Sequence, residues 1–135
     1  MFASCMQKQQ KIKDLFALCL ETAAKYEKLI ELGRKRPPFL NIYKVSENLV
    51  EGCQSLLYLS TTYKNGLLFF QAESEALISS GLAALLVMTY NEEAPEVVLK
   101  CPPSFIEELK LGIALTPGRS NGLANMYLHM QRKAL

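Results

Sequence analysis

The chain has 135 residues, half of them hydrophobic, and a formal net charge of +2. That length suits one domain, 1–135, able to bury a core without disulfides or metal, and that apolar content argues against intrinsic disorder. The charge is too small to call for a nucleic-acid partner. The one basic cluster, Arg34-Lys35-Arg36, reads as the basic end of a helix complementing its dipole.

The first stretch, from about Gln7 to Leu32, is helical by period: Ile12, Leu15, Phe16, Cys19, Ala23, Tyr26 and Ile30 recur at steps of three and four. Gly33 is a plausible stop, and Pro37-Pro38 forces an extended connection. The period then changes. Residues 57–63 and 67–70 are rich in strand formers, and Lys64-Asn65-Gly66 between them supplies a hairpin turn whose two central residues tolerate positive φ. A shorter strand is expected around Leu49-Val50.

Ser74 is placed to cap a helix from about Glu75 to Thr89. Its apolar run, residues 81–88, is far short of the ~20 residues that cross a bilayer. Ala94-Pro95 starts a short helix. Ser104 and Glu107 form a capping box for another that ends at Gly112. A closing helix runs from about Asn121, with Leu123, Met126, Tyr127 and Met130 on its apolar stripe. The predicted class is α+β, a small antiparallel sheet with helices packed on one face. Residues 1–10 lack the apolar core of a secretory signal, so a cytoplasmic or organelle-matrix protein with no membrane partner is expected.

Four cysteines are present, Cys5, Cys19, Cys53 and Cys101, with no C-x-x-C pair and His129 as the only histidine. This spacing does not match zinc or iron–sulfur ligand sets, so no metal and no cofactor are expected. Cys5 reads as part of a frayed terminus, Cys19 as a helix-core residue, and Cys101, before Pro102-Pro103, as a structural thiol. Cys53 differs: Gly52 precedes it and a strand follows, which puts it on a loop at the sheet's edge. The second unusual stretch is 115–123, containing Pro117-Gly118-Arg119-Ser120. It reads either as an anion-favouring helix N-terminus with Arg119 as a charged fork or as a turn capped by Ser120. His129 falls off the stripe and reads as solvated.

Asn48-Leu49-Val50-Glu51-Gly52-Cys53-Gln54-Ser55 resembles the N-x-V-x-G-C-x-S segment of the SufE/CsdE sulfur-acceptor proteins. Glu73-Ser74-Glu75-Ala76, Gly81-Leu82 and residues 115–123 match later motifs of that family in order, and residues 29–33 look like its second helix. The resemblance implies an α+β fold of the SufE/IscU type, and a first helical stretch that breaks near Glu21-Thr22. It also implies a role. A PLP-dependent cysteine desulfurase of the SufS/CsdA type holds a persulfide, Cys53 accepts the outer sulfur, and the sulfur passes to a downstream iron–sulfur scaffold. Arg119 matches the arginine of the family's C-terminal motif. No cofactor, nucleic acid or membrane is implied, and the protein is expected as a monomer or homodimer.

This sequence departs from the family at Thr22, Glu73, Glu75, Ala114 and Gly118, where the family more often has tryptophan, aspartate, aspartate, histidine and serine. Two other readings compete: an iron–sulfur cluster scaffold, which needs about three converging thiols, and a small-anion binder using Arg119.

Overall fold

The computed structural model describes residues 2–50, 56–108 and 117–135, the side chains of residues 22, 107, 108 and 117–122 excepted. Helix α1 spans Ala3–Leu15 and α2 spans Thr22–Arg34. Two 3-10 turns, Asn41–Tyr43 and Ser46–Asn48, lead to strands β1 (Leu57–Lys64) and β2 (Leu67–Ser74). Helices α3 (Leu77–Tyr90), α4 (Pro95–Lys100), α5 (Phe105–Glu108) and α6 (Pro117–Ala134) complete the described chain. This is the expected α+β arrangement.

The hairpin follows its sequence signal. Asn65 and Gly66 have φ of 53° and 80°, the pair of positive values that a type I′ turn requires, and Lys64 pairs with Leu67 across it. Leu57, Leu59, Leu68, Phe70 and Ala72 are buried, whereas Thr62 and Tyr63 face water. The strand expected at Leu49-Val50 is reduced to a single antiparallel bridge, Leu49 to Tyr58.

Helix α3 is buried nearly all round, as a helix without a polar face must be. It lies against α1, α2, β2 and α6. Its closest neighbour is α2. A Cβ placed on Gly81 would stand 2.1 Å from the Leu29 carbonyl oxygen, and one on Gly33 would stand 2.9 Å from the Gly81 nitrogen. Gly33 is therefore a contact residue inside α2, which continues to Arg34, and not the stop that its position suggested.

Other boundaries also moved. The long first helix is broken between Leu15 and Thr22, with Glu21 as the extended residue before α2; Phe16 turns inward and is buried. No glycine or proline marks this break, so the apolar period ran through it. Ser74 does not cap α3. Ala76 holds the cap position, and the Ser74 hydroxyl donates to the Leu56 carbonyl and accepts from the Ala76 amide. Pro95 does open α4 at its first turn.

Helix α6 begins at Pro117, four residues before Asn121, with proline where its missing N–H costs nothing. Ser120 is thus inside the helix and is not its N-cap. The side chain of Glu107 and the stop at Gly112 lie outside the described residues.

The largest correction concerns Cys5. It is 0% exposed, one turn before another buried residue, Gln9, on the inner face of α1. The Gln9 amide N–H donates to the Pro102 carbonyl at 3.1 Å. Its oxygen accepts from the Ser104 amide at 2.8 Å and the Ser104 hydroxyl at 2.9 Å. A buried amide with its hydrogen bonds made is a specific clamp, and it ties the start of the chain to the α4–α5 connection. Nearby, the Tyr90 hydroxyl donates to the Cys101 carbonyl and the Tyr127 hydroxyl to the Val98 carbonyl, with the two rings stacked at 5.4 Å.

Candidate functional site

Cys53 lies in 51–55, outside the described residues, as does the side chain of Arg119; the backbone of Arg119 is in the first turn of α6. What is described is the frame around them. The Val50 amide donates to the Leu57 carbonyl at 2.9 Å, one residue pair beyond the Leu49–Tyr58 bridge. The chain thus leaves the sheet at Val50 and returns at Leu57 directly opposite, with Gly52-Cys53 in between.

An arm, residues 39–48, flanks this point. Phe39 is buried and meets Tyr43 edge-on at 6.1 Å and Tyr58 of β1 at 6.4 Å. The Asn48 amide donates to the Tyr43 carbonyl at 2.8 Å. Glu73 of β2 ties the arm to the chain just past α2, taking Lys44 of the arm at 2.7 Å and Arg36 at 3.1 Å. With its apolar ring anchored beneath, the arm presents Leu40, Ile42 and Val45 to solvent, and Leu56 and Leu77 are exposed at the same end of the hairpin.

Lys44, with Arg36 behind it, holds the Glu73 carboxyl below its ordinary value. A depressed folded value means stability that is full above the unfolded carboxylate range and is lost as pH falls through the folded one. Glu73→Gln is expected to destabilise the protein by about 1 kcal/mol at pH 7, the sum of two half-exposed ion pairs. Denaturant unfolding of both forms should converge as pH drops below about 4. A gap that persists undiminished at pH 3 would show that Glu73 acts through packing instead.

On the other side of Leu49 a cleft of about 620 Å³ opens against α6, lined among others by Glu47, Asn125, His129, Arg132 and Lys133. His129 is half-buried in its wall, which corrects its reading as a solvated residue. The apolar arm and this cleft were not picked out in the sequence. The exposed Leu40, Ile42 and Val45 follow no regular period in the sequence, and their exposure became readable only with Phe39 buried beside them.

Two of the other thiols are buried, and Cys19, expected inside a helix core, lies instead between α1 and α2. Cys5 and Cys101 are 0% and 5% exposed, and Cys19 packs half-buried against the core. Burial, with Cys101 beside it, pushes the Cys5 thiol up to about 12, far from the thiolate that nucleophilic attack needs. Among the described residues, no three His, Cys, Asp or Glu side chains gather as metal ligands, and no helix is long and apolar enough to cross a membrane.

Residues 10–134 match the Fe-S metabolism associated domain, SufE. The chain belongs to the SufE family. It is 34% identical over 125 residues to an uncharacterised SufE-like protein of Synechocystis sp. strain PCC 6803, covering 93% of this chain and 79% of that one. It is also 37% identical over 129 residues to the Arabidopsis thaliana SufE-like protein 1, chloroplastic/mitochondrial, covering 95% of this chain and 35% of that longer protein. The solution structure of a hypothetical protein from Thermus thermophilus superposes with a TM-score of 0.75 at 26% identity, over 94% of this chain and 93% of that one. The resemblance carried by residues 48–55 and 115–123 is therefore a family relationship. The break before Thr22 and the α+β fold that it implied are those found. SufE membership supports a sulfur-transfer role in iron–sulfur metabolism.

Proposed function

We propose that this SufE-family protein accepts sulfane sulfur on Cys53 from the persulfide of a PLP-dependent cysteine desulfurase, and that by clearing the persulfide it speeds the desulfurase's turnover. The observation that carries this reading is the family match, in which Cys53 occupies the G-C-x-S position, together with the burial of Cys5 and Cys101. Cys53 lies in the segment between the paired Val50 and Leu57, and Cys19, half-buried beside the core, is the thiol that sulfur mapping has to distinguish from it.

In the transfer, the Cys53 thiolate attacks the outer sulfur of the donor persulfide. A new S–S bond forms at Cys53, the donor's S–S bond breaks, and the donor sulfur leaves as thiolate. PLP in the desulfurase supplies the C–S cleavage, and the acceptor contributes a thiolate and access. Exposed Leu40, Ile42 and Val45 in the arm, and Leu56 beside β1, suit the docking that such a protein-to-protein transfer needs. Arg119, in the first turn of α6, adds positive charge where the helix dipole is already positive, which favours a thiolate or persulfide anion or a carboxylate of the donor. The sulfur then passes to an iron–sulfur scaffold.

Intact-mass measurement after incubation with a desulfurase, PLP and cysteine tests the proposal. The expected result is addition of about 32 Da per sulfur atom, mapped to Cys53. A stable coloured cluster after anaerobic addition of iron and sulfide, with no sulfur on Cys53, would replace the acceptor reading with that of a scaffold.

A further inference from the structure

Three sulfur atoms gather where α1 meets the end of α4. The Cys101 thiol donates to the Met6 thioether at 3.8 Å, and Cys5 lies on the same side of α1, beside Cys101. The Gln9 amide nitrogen stands 3.7 Å from both thiol sulfurs. We propose that Cys5, Cys101 and Met6 form a three-coordinate site for a soft monovalent ion, Cu(I).

The ligand chemistry selects the metal. Thiolate and thioether together favour Cu(I), whereas zinc is held by four nitrogen, oxygen or thiolate donors and finds only two thiols here. At a metal–thiolate length of about 2.3 Å, sulfurs in a trigonal plane stand about 4 Å apart, close to the 3.8 Å between Cys101 and Met6. The surroundings serve the same end. Cys5 and Cys101 are buried, which excludes competing water, while Met6 is 51% exposed and gives the ion a way in. Gln9, itself 1% exposed, gives one N–H to the Pro102 carbonyl and has the other left for the two thiol sulfurs beside it, an outer hydrogen bond of the kind that steadies metal-bound thiolate.

Binding involves no change of oxidation state. Cu(I) displaces one proton from each thiol, forms two Cu–thiolate bonds and accepts a lone pair from the Met6 sulfur. Because neutral thiols must deprotonate, affinity rises with pH. Two of the ligands, Cys5 and Met6, precede residue 10, where the SufE match begins. The site therefore lies partly outside the family's common segment. It is also independent of sulfur acceptance by Cys53.

Anaerobic titration with Cu(I) against a chromophoric Cu(I) chelator tests the site in a Cys19→Ser/Cys53→Ser protein, whose only remaining thiols are Cys5 and Cys101. The expected result is one Cu(I) per chain, a sulfur-only three-coordinate signature in X-ray absorption, and a raised melting temperature. Met6→Leu, at a half-exposed position that leaves the fold in place, should weaken binding at least about tenfold, and Cys101→Ser should abolish it. Loss of Cu(I) on replacing Cys19 and Cys53, unchanged affinity in Met6→Leu, or equal retention of Zn(II) would overturn the assignment.

Discussion

Cys53→Ser is expected to take up no sulfur from a loaded desulfurase and to leave desulfurase turnover unstimulated. A serine hydroxyl has no accessible anion at neutral pH and does not form a persulfide, so the loss should be on the order of a thousandfold or more, about 4 kcal/mol of barrier. Position 53 lies between Val50 and Leu57, whose pairing is made by backbone atoms, so the substitution should leave circular dichroism unchanged and melting within about 0.5 kcal/mol of wild type. Arg119→Ala should slow transfer without stopping it. Arg119→Lys should restore part of the rate, because the charge returns but the planar fork does not. Sulfur mapping instead to Cys5, Cys19 or Cys101 would refute the assignment and the burial argument together.

Gly81→Ala is expected to cost the protein about 3 kcal/mol, a large share of the stability of a domain this size. At an exposed helix position the same change would stabilise by up to about 1 kcal/mol, since alanine is the better helix former. Here the added methyl meets the Leu29 carbonyl oxygen at 2.1 Å. The obstacle is backbone inside a packed helix pair, not the movable end of a side chain. Relief requires α2 and α3 to separate, and α3 is the helix on which α1, α6 and β2 also rest. Thermal melting should fall by about 10 °C. Gly33→Ala, whose new Cβ would meet the Gly81 nitrogen at 2.9 Å and the Ser80 hydroxyl at 3.0 Å, should fall by less. A melting temperature that rises in Gly81→Ala would mean that the helices are less closely packed than these distances require.

Much of the site's frame was legible because its signals are local. The Asn65-Gly66 turn announces itself through two residues that tolerate positive φ. The segment 48–55 announces the family through its motif. Glu73 was visible as a departure from that motif, but its work was not. The ion pairs to Arg36 and Lys44 span 37 and 29 positions of sequence, and nothing at position 73 names those partners. Gln9 was missed for the same reason. One glutamine within the polar run Gln7-Lys8-Gln9-Gln10-Lys11 reads as solvated until Pro102 and Ser104, more than ninety residues away, arrive to satisfy it.

The sequence by itself determined the α+β class, the hairpin and its register, and the family. Each of these rests on side-chain periodicity, on backbone preferences of single residues, or on a short ordered motif, which act over a few positions. Tertiary structure decided where helices end and which thiols are buried. Helix α1 ends at Leu15 with no glycine or proline there and Phe16 beyond it buried, a break that the family resemblance implied and the apolar period ran through. Gly33 looked like a stop and is an approach point, because only the neighbouring Gly81 shows why a side chain is excluded there. Cys5 looked frayed and is in the core, because α1 gains a partner surface from the α4–α5 connection that no window of sequence contains. Burial is a property of pairs of distant segments, and it became readable only when the fold brought them together.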